Sequence, residues 1–405
     1  MILSLGLVIF LGVIGGFILE KIKIPKVVYY IILGLLLGPT IFALLDESLL
    51  NISSYLRQIA LMIILTRSGL SLDIKKLKEI GRPAILLCFV PATFEISGIT
   101  IFAPLLLDVT YFEAMLMGSV LGAVSPAIVV PRMIKIMNEK YGDKNHVPEL
   151  VMAGSSVDDI YVIVLFYAFK GLVANNNFNA LTLLNIPLSI ILGIVLGIIV
   201  GILLYFLFKY IKIDNILKVA ILFGASLLMI GIENILKEYV SISSLLGIMV
   251  VGMILAMKLK DDANKIQNSY NGMWFFFEIL LFVLVGATID LNYAFSIQGL
   301  YSILLVFIGL AFRTLGTFLS VLGTKLTIKE RIFVIISYLP KATVQASIGG
   351  IALMEGLSCG TAVLTLAIIS ILITAPLGAV LIDNLYKKLL KKDELNELSF
   401  EKNEA

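Results

Sequence analysis

The chain has 405 residues, 60% of them hydrophobic and 15% charged, and a mean hydropathy of +1.04. A soluble domain is roughly 45–50% apolar and about 25% charged, so this composition excludes a water-soluble globule and predicts an all-α polytopic membrane protein. The formal net charge of +3 is spread through the loops, which excludes a nucleic-acid-binding face.

In chain order, apolar stretches of spanning length fall at residues 2–19, 27–45, 53–72, 83–106, 112–136, 148–172, 181–210, 216–235, 239–257, 270–290, 295–322, 331–354 and 361–385. These are thirteen predicted transmembrane segments. The first begins at Ile2 with no basic stretch before it, so it reads as a span rather than a cleaved signal. Basic residues follow every odd-numbered segment: Lys21, Lys23 and Lys26; Lys75, Lys76, Lys78 and Arg82; Arg132, Lys135, Lys140 and Lys144; Lys209, Lys212 and Lys218; Lys258, Lys260 and Lys265; Lys325, Lys329 and Arg331; and the tail from Lys387. The opposite loops hold only Lys170 and Lys237. The positive-inside rule then predicts an outside N-terminus and a cytoplasmic C-terminus in the cell membrane.

The chain repeats itself. Gly69-Leu70-Ser71-Leu72-Asp73 closes the third segment, and Gly286-Ala287-Thr288-Ile289-Asp290 closes the tenth. Pro126-Ala127-Ile128-Val129 in the fifth is echoed by Pro340-Lys341-Ala342-Thr343-Val344 in the twelfth, at nearly the same offset along the chain. Equivalent segments lie seven apart, so segments 1–6 and 8–13 are expected to be inverted-topology repeats joined by segment 7, a plan recurrent in secondary transporters.

The stretch that points to chemistry is Gly154-Ser155-Ser156-Val157-Asp158-Asp159 in the sixth segment. Its two carboxylates lie about 10 residues, roughly 15 Å, from the segment end and so near the bilayer midplane. A carboxylate there costs at least about 2.5–3.5 kcal/mol, which makes it a functional candidate by default. Asp158 and Asp159 point about 100° apart on a helix, so one can face a cavity while the other meets a second group. The pair reads as a site for a cation and a proton.

Pro126 and Pro131 interrupt the fifth segment and Pro340 the twelfth at its equivalent position, so both helices are expected to be discontinuous and to cross. Ser125, Ser155, Ser156 and carbonyls freed at the breaks are candidate oxygen ligands, although each serine hydroxyl can equally bond back to its own helix. Glu95, Arg313 and Lys341 lie at mid-depth, with Glu278 nearer an end. Glu95 and Arg313 are separated by nearly the repeat offset, in equivalent places of the two halves. A buried charge needs a partner, so Arg313 is expected to pair with Glu95 and with Asp158. Lys341 would face the cavity or offset helix-end charge; Arg57 and Arg67 would snorkel or pair locally. Trp274-Phe275-Phe276-Phe277 reads as an interfacial belt, Cys88 and Cys359 as packing residues, and His146 as a loop residue. With no nucleophilic triad, phosphate loop or zinc motif, the sequence argues against an enzyme and calls for no cofactor.

With Gly122–Pro131, the Val157-Asp158-Asp159 pair and Leu339-Pro340-Lys341-Ala342-Thr343-Val344-Gln345-Ala346 in view, the chain resembles the monovalent cation/proton antiporters over nearly its whole length. The resemblance is strongest to the NHA-type sodium/proton branch in its prokaryotic form. It implies a homodimer with a transport core of segments 4–6 and 11–13 that moves elevator-fashion. The corresponding divisions are 1–80 and 213–292 for the dimerisation helices, 81–175 and 293–388 for the core, 176–212 for a long linker helix, and 389–405 for a polar tail. It implies that Asp159 binds the cation (Na⁺ or Li⁺) or the proton, with Asp158 as its neighbour, and that Arg313 stands where electrogenic relatives have lysine. Arginine does not deprotonate in proteins, which favours electroneutral exchange, serving sodium export and pH and salt homeostasis. Many relatives have Thr-Asp at the fifth-segment break where this chain has Ala127-Ile128, which puts more weight on Asp159. Two other classes compete: a potassium-efflux or channel-like protein, and a sodium-coupled organic-anion symporter on a similar fold.

Overall fold

The computed structural model describes residues 1–21, 25–71, 81–174, 180–236 and 242–392, and within them every regular element is helical. Among the described residues, eight helical stretches are long and apolar enough to cross a membrane, and three shorter apolar ones accompany them. Parts of the basic loops after the first and third segments, Asp73, Lys237 and the tail beyond Lys392 lie outside the described residues, as does the side chain of Ser156.

Each predicted segment overlaps a helix or a set of helices. The first half holds α1 (Ile2–Lys21), α2 (Lys26–Leu37), a short α3 (Glu47–Asn51), α4 (Ser53–Ser71), α5 (Arg82–Leu87) and α6 (Val90–Leu107). It continues with α7 (Tyr111–Leu121), α8 (Pro126–Asn138) and α9 (Val147–Ala174), followed by the long α10 (Ala180–Tyr210). The second half holds α11 (Asn215–Leu236), α12 (Ser244–Lys258), α13 (Lys260–Ala287), a short α14 (Leu291–Ala294) and α15 (Ile297–Ser320). It ends with α16 (Ile328–Ser337), α17 (Thr343–Ile348), α18 (Ile351–Met354) and α19 (Gly360–Leu389).

Several boundaries differ from expectation. The second segment stops at Leu37, because Gly38-Pro39 cannot continue the helix. The tenth begins earlier than expected, at Lys260, and its Trp274 is buried rather than set in an exposed belt with Phe275 and Phe276. The fourth is broken at Cys88-Phe89, just before Pro91. Pro131 does not break a helix: α8 runs through it, starting at Pro126, where a proline at the first helical position loses nothing.

Packing pairs helices of the two halves. α2 crosses α13 where Gly34 lies against the Val283 backbone and Gly286 against that of Ile31. α4 crosses α12 where Gly69 meets Met249 and Gly252. A side chain at these glycines would overlap main chain. α6 lies along α15. Identical capping boxes start the two interrupted helices, Thr110 with Glu113 on α7 and Thr327 with Glu330 on α16, and these too are separated by the repeat offset.

Candidate functional site

The site forms where two helices stop inside the protein. α7 ends at Leu121 and α8 resumes at Pro126; α16 ends at Ser337 and α17 resumes at Thr343. The two gaps touch, since the Ser125 N–H donates to the Pro340 carbonyl at 2.8 Å. A helix end leaves backbone groups unsatisfied, and away from water each such group costs free energy unless something meets it.

Side chains meet several of these groups. The Leu121 carbonyl accepts from Lys341 Nζ at 2.5 Å and from Gln345 Nε2 at 3.3 Å. The Ala123 carbonyl accepts from Gln345 Nε2 at 2.8 Å, and the Gly122 carbonyl from Arg313. The Tyr338 carbonyl accepts from Arg313 Nε at 2.7 Å. On the donor side, the Val124 N–H reaches Asp158 Oδ2 at 2.8 Å and the Lys341 N–H reaches Thr374 Oγ1 at 2.9 Å. The carbonyls of Leu121, Gly122, Ala123, Tyr338 and Pro340 at the breaks are thus engaged within the protein.

The same residues form a charge cluster. Arg313 gives Nη1 to Glu95 Oε2 at 2.9 Å and Nη2 to Asp158 Oδ2 at 2.8 Å, while Lys341 Nζ lies 2.7 Å from Glu95 Oε1. All four side chains are fully buried. The Tyr338 ring lies 5.6 Å from the guanidinium, a cation–π distance. Two cations thus balance two carboxylates. Asp159 stands outside that balance. It is buried but retains 6% exposure, its Oδ1 has no hydrogen-bond partner, and it forms no ion pair among the described residues.

The other candidates divide. Ser125 precedes α8, yet its hydroxyl makes no capping bond and is buried without a partner. Ser155 donates to the Met152 carbonyl of its own helix at 3.1 Å. Thr343 Oγ1 and Gln345 Oε1 are also buried and unpartnered beside the break. Sequence reasoning missed both, because a count of charges passes over neutral polar groups. Arg57 neither snorkels nor pairs locally: it is buried, with Nη2 3.1 Å from the sulfur of Met354. Arg67 and Glu278 are within electrostatic reach of each other, apart from the cluster.

A carboxylate and a hydroxyl are hard oxygen ligands, suited to a small alkali cation or a proton. The family model for the sodium/hydrogen exchanger transmembrane region matches residues 6–387. Human (Homo sapiens) sodium/hydrogen exchanger 9B1 is 32% identical over 409 residues, covering 96% of this chain and 78% of its own. Mouse (Mus musculus) sodium/hydrogen exchanger 9B1 is 34% identical over 418 residues, with 97% and 72% covered. In fold, the chain is similar to the sodium proton antiporter MjNhaP1 from Methanocaldococcus jannaschii at pH 8, with a TM-score of 0.81 at 21% identity, over 96% of this chain and 97% of that one. A match spanning residues 6–387 and these long alignments show that the chain belongs to the sodium/hydrogen exchanger family, among the monovalent cation/proton antiporters.

Proposed function

We propose that the chain is a secondary active antiporter that exchanges Na⁺ or Li⁺ for H⁺ at Asp159. The observation that carries this reading is the charge balance at the helix breaks. Arg313 and Lys341 are matched by Glu95 and Asp158, which leaves Asp159 as a surplus buried carboxylate with an open oxygen. Such a group needs a counter-charge, and a proton or an alkali cation each supplies one. Both cannot occupy it together, so loading one expels the other. Ser125 Oγ, buried without a hydrogen-bond partner, is proposed as a second oxygen ligand, with Ser155 and Ser156 as further candidates.

Alternating access is proposed as an elevator-like movement of α5–α9 with α15–α19 against α1–α4 with α11–α13. Support comes from the paired crossings of α2 with α13 and α4 with α12, which exchange under a two-fold relation of the halves, and from capping boxes in equivalent places of those halves. Thirteen spans with the N-terminus outside follow from the alternation of basic loops. The homodimer and the placement in the cell membrane rest on the family resemblance. Arg313 cannot give up a proton, and Lys341 is held by Glu95, so one-for-one electroneutral exchange is proposed. Sodium export in salt and pH homeostasis is the corresponding role.

The test is dissipation of a pH gradient in proteoliposomes with Na⁺, Li⁺ and K⁺ added in turn. Asp159→Asn should abolish cation-dependent proton flux while the protein still elutes as a folded species. Exchange that persists in this variant overturns the assignment.

A further inference from the structure

A second set of charges lies apart from the helix breaks, between the helices proposed to move and those proposed to stay. Arg57, on α4, is only 6% exposed, its Nε has no hydrogen-bond partner, and among the described residues it forms no ion pair. Its guanidinium reaches across to the twelfth segment. Nη2 lies 3.1 Å from Met354 Sδ, and a Cβ added at Gly350 would come 2.5 Å from Nη1. A thioether is a weak acceptor, so a buried guanidinium resting on one is poorly matched.

The next residue in the chain is a carboxylate. Glu355 follows Met354 and is held by Lys170 of α9, with Nζ 2.6 Å from Oε1 and the Tyr167 ring 5.1 Å from the ammonium. A second carboxylate is close. Glu233, on α11, is within electrostatic reach of both Lys170 and Glu355. Its Oε2 accepts from the Ser244 N–H at 3.1 Å and from the Ser244 hydroxyl. Each side of the interface therefore presents one cation and one carboxylate: Lys170 and Glu355 on the moving helices, Arg57 and Glu233 on the stationary ones. In this structure the closed ion pair is the one within the moving set.

We infer that Arg57 is a positioning residue for exchange: it takes the Glu355 carboxylate once the core has moved, while Lys170 passes to Glu233. The inference rests on the elevator reading above. The swap turns one ion pair into two, releases Ser244, and gives the buried guanidinium the counter-charge it lacks here. A short slide brings the new partner into place, because Met354 and Glu355 are consecutive and neighbouring Cα atoms are about 3.8 Å apart. A guanidinium that served packing alone would leave Glu355 with Lys170 in every state.

The test is a double-mutant cycle of Arg57→Gln and Glu355→Gln, read both as maximal Na⁺-driven proton flux in proteoliposomes and as unfolding midpoint in detergent. Each single variant should slow flux about tenfold and the double variant no further, a coupling of about 1.4 kcal/mol between side chains that form no ion pair in this structure. The shifts in unfolding midpoint should simply add. Flux losses that multiply in the double variant, a single variant with wild-type flux, or equal coupling in the midpoints would each overturn the inference. A cross-link separates that failure from failure of the elevator reading. With Cys88→Ala and Cys359→Ala in place, Arg57→Cys/Met354→Cys joined by a bis-methanethiosulfonate should stop flux until dithiothreitol restores it. Flux that persists through complete cross-linking would refute the elevator movement, and the inference with it.

Discussion

Arg313 holds Asp158 at 2.8 Å and leaves the adjacent Asp159 without an ion pair among the described residues, so two neighbouring aspartates sit in different electrostatic surroundings. Asp158 also accepts the Val124 N–H, tying α9 to the break in the fifth segment. Asp158→Ala should therefore destabilise the protein by about 3–5 kcal/mol, because it strands a buried guanidinium and a buried donor. Asp159→Asn removes no partnered charge and should leave the unfolding midpoint at or above that of the wild type. Thermal unfolding of both variants in detergent checks the order. Equal losses would mean that Asp159 has a structural partner.

Competition at one carboxyl fixes the sign of a pH effect. Where the group is mostly protonated, a cation must displace a proton to bind. The apparent KM for Na⁺ should then rise as pH falls, by up to about tenfold per pH unit, and level off at alkaline pH where no proton competes. The maximal rate should change far less over the same range. Sodium titrations of proton flux at several symmetric pH values would measure this. A KM flat with pH would exclude a shared site.

Much of the architecture was legible in the sequence because a bilayer leaves few options. Long apolar runs must be helices, and charges inside them must find partners. That rule alone leads from Glu95 and Arg313 to the ion pair between them. The break positions were legible at Pro126 and Pro340, where a missing N–H and the ring oppose a continuous helix. Pro131 has the same chemistry but lies within α8, where the Arg132 guanidinium bonds the Ile128 carbonyl and the helix runs on. Which backbone groups remain free at a break was not legible. That depends on which side chains arrive from the opposite half of the chain, as Gln345 and Lys341 do at Leu121.

Gln345 illustrates the point and can be tested. Its amide nitrogen bonds the carbonyls of Leu121 and Ala123, bracing the end of α7 from across the repeat. Gln345→Leu keeps the volume and removes the donor. It should cost about 1–3 kcal/mol for the unmet carbonyl of Ala123, with less lost at Leu121, which keeps Lys341. Antiport should fall with it, since the break would no longer be held in one geometry. A variant with wild-type thermal stability would show that water serves in place of the amide.

Arg313→Lys probes stoichiometry. The guanidinium makes contacts with Glu95, Asp158, Gly122 and Tyr338 that one ammonium group cannot reproduce, so the variant should lose stability despite its unchanged charge. A lysine can also deprotonate where arginine cannot, so a second proton becomes available to the cycle. Wild-type exchange should be indifferent to an imposed potassium diffusion potential. Exchange by Arg313→Lys, where measurable, should become faster when the potential drives net positive charge in the direction of proton movement. A wild-type rate that already responds to the potential would rule out one-for-one exchange and shift attention to Lys341 as a proton carrier.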